Sequence, residues 1–299
     1  MDYHLPVLLE KSIEGLNIKP NGVYVDATFG GGGHSNEILK RLEKGKLVAF
    51  DQDEDAAKNV PDDGRLIFVH HNFRFLKNFL KYYDIKSIDG LIADLGVSSH
   101  HFDSPQRGFS FRFESELDMR MNRKSEFSAK VLVNTYPLEK LFTVFNNYGE
   151  LKNAKILARS IIEYREKNPI NSIRELLESI SNCLPRYNEN QYLAKVFQAL
   201  RIEVNREIEN LKTMLLQSGD LLNTGGRMAI ISYHSLEDRI VKNYFRNGSF
   251  EAAADTDIYG NLNCPLKPVN RKVLVPDDKE IKLNPRARSA RLRIAEKVS

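Results

Sequence analysis

Four consecutive glycines, Gly30-Gly31-Gly32-Gly33, stand between a β-branched run and a helical stretch, and this junction narrows the possible folds more than any other feature. Val23-Tyr24-Val25-Asp26 reads as a strand and residues 35–42 as a helix. Glycine loses more backbone entropy on folding than any other residue, so a turn that is only a turn rarely needs four. Glycines at a strand-to-helix junction let the backbone approach a ligand closely, with N–H groups and a helix N-terminus facing it. The alternation then repeats. Lys46–Asp51, Leu66–His70 and Ile88–Asp94 read as strands, separated by helical patterns near 55–60 and over 75–83. Strands alternating with helices of this length predict βαβ units, a parallel sheet and right-handed connections.

Past Asp94 the pattern changes. From about 109 to 204 it is helical, with apolar residues three to four apart over 129–134, 137–146, 151–167, 172–181 and 191–201. Breaks are expected at Pro137, Pro169 and Pro185. A helix over 206–222 should stop at Thr224-Gly225-Gly226, before a strand over 227–232 and a helix over 236–245. Residues 272–275 and 289–295 read as extended. The expectation is an α/β, Rossmann-like domain of residues 1–106 and 205–299, interrupted by an all-helical domain of residues 107–204. An insertion at the carboxyl end of the fourth strand lies beside the crevice where open parallel sheets bind ligands.

Composition excludes several alternatives. Hydrophobic content of 41% and charged content of 28% suit a soluble globular protein. Cys183 and Cys264 lack the spacing of a disulfide framework or zinc site, which fits a reducing cytosol. The first residues carry neither the basic nor the apolar region of a signal peptide, and no apolar run has the length of a membrane span. A cytoplasmic protein is expected. Its formal net charge is +4, yet residues 271–298 alone carry nine Lys/Arg against four Asp/Glu, a net of +5. A basic cluster of this kind suits a polyanion such as RNA, and equally a solvated edge.

The chemistry centres on strand ends. Asp51 ends the second strand about 20 residues beyond the glycine loop, the spacing at which an acid meets ribose hydroxyls. Loop and acid together indicate an adenosine-type ligand. A dinucleotide fingerprint needs its third glycine where this chain has Ser35 or Asn36, and Asp26 before the loop suits a cationic amino group better than a pyrophosphate. Asp94 ends the fourth strand, over the crevice, where it could accept a hydrogen bond from an attacking group or simply cap a turn. Phe73, after the third strand, could pack on an adenine or in the core.

Several uncommon strings then occur in order: Asp94-Leu95-Gly96-Val97-Ser98-Ser99, Arg107-Gly108-Phe109-Ser110-Phe111, Leu117-Asp118-Met119-Arg120-Met121, Phe197-Gln198-Ala199-Leu200-Arg201-Ile202-Glu203-Val204-Asn205, Ser232-Tyr233-His234-Ser235-Leu236-Glu237-Asp238-Arg239 and Asn284-Pro285-Arg286-Ala287-Arg288-Ser289. Together they closely resemble the RsmH (MraW) family of bacterial 16S ribosomal RNA cytidine-N4 methyltransferases, over essentially the whole chain. The resemblance implies a class I methyltransferase domain with a helical insertion that serves substrate recognition. It implies S-adenosylmethionine held by Gly32, Gly33, His34, Asp51, Phe73 and Asp94. A further contact, usually a glutamine, falls on His101. It implies methyl transfer to the exocyclic N4 of a cytidine in the decoding region, cytidine 1402 in rRNA numbering, within the small ribosomal subunit. Asp94 is the expected catalytic residue. Tyr233, His234 and Ser235 should line the crevice near the base, and Arg286, Arg288, Arg291, Arg293, Arg107, Arg112, Arg120 and Arg123 should meet RNA. Ser99-His100-His101 has no third ligand at metal spacing, so no metal is expected. Monomer and homodimer both remain open. Two competing readings are a nicotinamide-dependent oxidoreductase using the same loop and a non-catalytic RNA-binding factor.

Overall fold

The computed structural model describes residues 6–97, 104–252 and 264–298. The chain divides into two compact units, Met1–Gly96 with Ile208–Ser299, and Val97–Glu207.

The first unit is built on seven strands: β1 Val23–Asp26, β2 Lys46–Asp51, β3 Leu66–His70, β4 Ile88–Asp94, β5 Leu222–Ser232, β6 Leu266–Pro268 and β7 Arg291–Lys297. Their order in the sheet is β3-β2-β1-β4-β5-β7-β6. The first five are parallel, as the alternation predicts, and β7 runs antiparallel between β5 and β6. From β1 the chain builds outward through β2 and β3, then returns to place β4 on the other side of β1. That reversal opens a crevice above the carboxyl ends of β1 and β4.

Strands covered on both faces read as continuous apolar runs, and here alternate residues supply two cores. Val25, Val48, Leu91, Ala93, Met228 and Ile230 belong to one, with Leu76 and Leu80 of helix α3 (Leu76–Tyr82). Tyr24, Leu47, Ile92, Ala229 and Ile231 belong to the other, with helices α1 (Leu9–Leu16) and α2 (Gly33–Arg41).

Helix α1 and strand β6 are elements the sequence pattern did not disclose. Strand β5 begins at Leu222, five residues before the expected start. The glycine pair falls inside it, with Gly225 at φ +76° and a register shift between Ile88 and Gly90 on the neighbouring β4. The glycines thus shape a bulge within the strand rather than the expected helix stop. Residues 272–275 contribute only the isolated bridge Leu274–Leu292.

The second unit is helical: α4 Ala129–Thr135, α5 Leu138–Asn147, α6 Ala154–Arg165, α7 Ile173–Ser179 and α8 Glu189–Asn205. They enclose their own core around Leu132, Leu141, Phe145, Leu157, Ile161, Leu176 and Leu200, and α9 (Glu207–Leu221) follows and leads directly into β5. Helix starts follow local chemistry. Ser128 accepts from Val131 N–H, Pro137 precedes α5, and Ser172 with Glu175 forms a reciprocal capping box on α7.

Candidate active site

The glycine loop is fastened before any ligand is considered. Gly30 N–H donates to Asp51 Oδ2 at 2.8 Å, and Asn59 Nδ2 donates to the Gly30 carbonyl at 3.2 Å. Gly32, at φ +77°, occupies a conformation that L side chains rarely adopt, and a Cβ there would lie 2.9 Å from the Phe29 ring. A Cβ on Gly33, the first residue of α2, would fall 2.1 Å from Pro6. A Cβ on Gly31 would meet nothing within 4 Å, so this stretch of loop faces open space. The result is a bare backbone cradle at a helix N-terminus, which fits a ligand that must lie directly against main chain.

Asp26 sits beneath this cradle rather than in it. It is 1% exposed, with Oδ1 accepting from Thr28 N–H at 3.0 Å and Oδ2 from the Ser35 hydroxyl at 2.7 Å. Burial pushes its carboxyl up to about 6, opposed by those hydrogen bonds. The residue expected to meet a cationic amino group is therefore spoken for by its own loop.

Asp51 pairs in register with His70 of β3, which brings the carboxyl ends of β2 and β3 together. Asn72 ties the two, donating to Gln52 Oε1 at 2.8 Å while its own carbonyl oxygen caps the short turn Phe73–Phe75. Phe73 is half-buried, with part of its ring on the core and part accessible on the rim.

Asp94 lies at the end of β4, beside β1. Its N–H donates to Thr28 Oγ1 at 2.6 Å, and its Oδ1 accepts from the Tyr233 hydroxyl at 2.8 Å. Its Oδ2 accepts no hydrogen bond among the described residues. Burial raises the Asp94 carboxyl to about 6, while His34 and the Tyr233 hydroxyl draw it down. His34 Nε2 lies 3.1 Å from the Val7 carbonyl, which can only accept, so this nitrogen carries the proton. Burial lowers the His34 pKa, keeping the ring neutral near pH 7 despite the nearby Asp94. Gly32, Gly33 and His34 thus lie at the loop and helix start after β1, Asp51 and Phe73 at and just past the ends of β2 and β3, and Asp94 at the end of β4. His101 lies outside the described residues.

Beyond Asp94, a cavity of about 350 Å³ is lined by Tyr233, His234, Ser235, Val275 and residues 288–291. It unites three of the expected substrate residues with Arg288, which is exposed, as is Arg286 outside the lining. His234 instead caps helix α10 (Ser235–Asn247), its Nδ1 accepting from Glu237 N–H at 3.4 Å.

Four arginines expected to meet RNA have other employment. Arg107 is 2% exposed and its guanidinium donates to the Arg120 and Met121 carbonyls. Arg120 is forked onto Asp118 and also donates to the Ser125 carbonyl. Arg293 and Arg291 both bind Asp238, at 2.7 Å and 3.1 Å. Arg107, Arg120 and Arg293 thereby commit donors that phosphate would need, whereas Arg291 makes a single such bond and its side chain is 50% exposed. Arg112 and Arg123 are exposed.

A mostly parallel sheet in this order, with a glycine cradle after β1 and an acid ending β2, suits an adenosine-type ligand, and the family match makes the chain an S-adenosylmethionine-dependent methyltransferase. Residues 1–298 match the MraW methylase family. Two relatives called ribosomal RNA small subunit methyltransferase H are similar throughout. That of Bacteroides thetaiotaomicron is 56% identical over 298 residues, 99% of this chain and 98% of its own. That of Flavobacterium johnsoniae is 55% identical over 299 residues, 100% of this chain and 99% of its own. Among solved structures, an rRNA methylase from Streptococcus thermophilus is a looser likeness, at 14% identity and a TM-score of 0.42 over 100% of this chain and 99% of that one. The chain belongs to the MraW methylase family. Among the described residues no helix is long and apolar enough to cross a membrane.

Proposed function

We propose that the chain methylates 16S ribosomal RNA in the small subunit, at the exocyclic N4 of a cytidine in the decoding region. Relatives named for small-subunit RNA methylation support the substrate class, and the resemblance of the six strings supports the base and atom. The observation that carries the chemistry is Asp94 Oδ2, which accepts no hydrogen bond among the described residues.

In this reading the loop at Gly32, Gly33 and His34, together with Asp51 and Phe73, holds the methyl donor. S-adenosylmethionine supplies an electrophilic methyl carbon, and in-line attack by the amine forms the N–C bond as the C–S bond breaks, its electron pair staying on sulfur. A cytosine amine is a weak nucleophile because its lone pair is delocalised into the ring. Asp94 accepts a hydrogen bond from that amine, stabilises the positive charge that grows on nitrogen, and takes the surplus proton. Positioning contributes alongside, because the base must be unstacked and held in line. Tyr233, Ser235 and Arg288 border the cavity next to Asp94 and form the substrate side, with Arg288 and Arg286 meeting phosphate.

The test is transfer of labelled methyl to small subunits from cells lacking the enzyme, followed by mapping of the modified nucleotide. Label on N4 of a decoding-region cytidine is expected; label elsewhere, or none, overturns the reading. In the same assay Arg288→Ala should reduce the slope of log affinity against log salt by about 0.7–0.9, the contribution of one phosphate contact. An unaltered slope removes Arg288 from the interface.

A further inference from the structure

We propose that Tyr233 is a positioning residue for methyl transfer, its hydroxyl clamping Oδ1 of Asp94 so that Oδ2 is presented to the incoming amine. The inference rests on the reading of Asp94 just given, and it changes the expected role of Tyr233 from a contact to the RNA base.

The geometry fixes Asp94 at two points. Thr28 holds its backbone through the 2.6 Å bond to the Asp94 N–H, and Tyr233 holds one carboxylate oxygen at 2.8 Å. The first bond anchors the backbone and the second restrains rotation of the carboxylate, whose other oxygen accepts no hydrogen bond among the described residues. A phenol has a single proton to donate, and here that proton is committed to Asp94. Tyr233 is itself held: its N–H donates to Glu237 Oε2 at 3.0 Å, and its ring lies close to Gly96, where a Cβ would stand 3.6 Å from Cδ2. Glycine at 96, with φ +100°, leaves the ring that room.

The clamp also has an electrostatic side. Asp94 is faced by His34 from α2, Asp26 from β1, Glu237 from α10 and Tyr233 from the end of β5. Asp26 and Glu237 disfavour its charge, whereas His34 and the Tyr233 hydroxyl favour it. With the His34 ring neutral near pH 7, removing the hydroxyl strips the hydrogen-bond support from a carboxylate that must be ionised to accept the amine proton. Protonation of Asp94 then sets in at higher pH, and the acid limb of the rate profile moves up.

The experiment compares the pH dependence of kcat, and KM for small subunits, in the wild-type chain, Tyr233→Phe and Tyr233→3-fluorotyrosine, with donor affinity followed by calorimetry. For Tyr233→Phe, kcat should fall about tenfold, as for loss of one hydrogen bond to a charged group, with KM and donor affinity nearly unchanged. Its acid limb should rise by about one pH unit. The fluorinated phenol is more acidic and a stronger donor, so it should move the limb the other way. An acid limb that stays in place in both variants overturns the proposal. So does a raised KM at unchanged kcat, which would return Tyr233 to the RNA. If Tyr233→Phe does not fold, the fluorinated chain decides alone, since it keeps ring and hydroxyl. Failure of the Asp94 reading is separate: it shows as full turnover in Asp94→Asn, whatever Tyr233 does.

Discussion

Among the described residues, the carboxyls that burial pushes up lie in one unit only. In the sheet unit, Asp26 and Asp94 sit at the carboxyl ends of neighbouring strands, and burial drives both carboxyls up to about 6. In the helical unit, the carboxylates that shift go down. Glu175 is held low by the Asn171 and Ser172 N–H groups of its capping box, and Glu178 by Arg174 and Tyr164 on the surface. The raised pair bears the desolvation cost of burial at the strand ends, whereas the lowered pair completes a capping box and a surface ion pair. Perturbed protonation equilibria are enriched at functional sites, and the raised pair accords with the chemistry proposed for the strand ends.

The sharpest way to break this comparison is Asp94→Asn, which preserves shape and removes the proton acceptor. Turnover in the labelled-methyl assay should fall by about 10² to 10⁴, the usual worth of a general base. A drop of less than threefold would make Asp94 a structural residue and erase the distinction. Next in size is Gly32→Ala, which forces a Cβ into the left-handed region and against Phe29. The clash displaces the loop from the geometry that would meet the donor, so donor affinity by calorimetry should weaken roughly tenfold, about 1.4 kcal/mol. Unchanged affinity would mean that the loop does not hold the donor. The smallest effect is direct. Carboxyl carbon resonances of Asp26 and Asp94 should titrate near pH 6, with both groups charged only above it, while Glu175 stays charged to below its ordinary 4.5. Coincident titration of all three would dissolve the contrast.

The parallel core of the fold was legible because its strands are covered on both faces, and their apolar runs therefore stand out. Helix α1 went unread because its eight residues hold only a short amphipathic pattern, and β6 because three residues carry no periodicity. The glycine pair at 225–226 misled because a bulge inside a strand and a stop after a helix call for the same residue. At the candidate site, the residues of the loop and strand ends could be named from the sequence. Their partners could not. That Asp26 serves Ser35, that Tyr233 serves Asp94 across 139 positions, and that Arg293 serves Asp238 are facts of tertiary proximity. The arginines show the same limit from the other side: sequence records their charge, while only the fold records which carboxylate has already taken it.

Strand β4 ends at Asp94 and its partner β5 begins at Leu222, so the ladder between them closes only after residues 97–207 have been made. Closing a loop of that length as disordered chain is entropically costly, although the cost grows only logarithmically with length. A helical unit with its own core, rich in local contacts, can collapse before the sheet does and shorten that loop in effect. The central pairing of the catalytic sheet would then wait on the insertion's folding. Lesions deep in the helical core, at Phe145 or Leu157, would be felt first as slow assembly of the sheet.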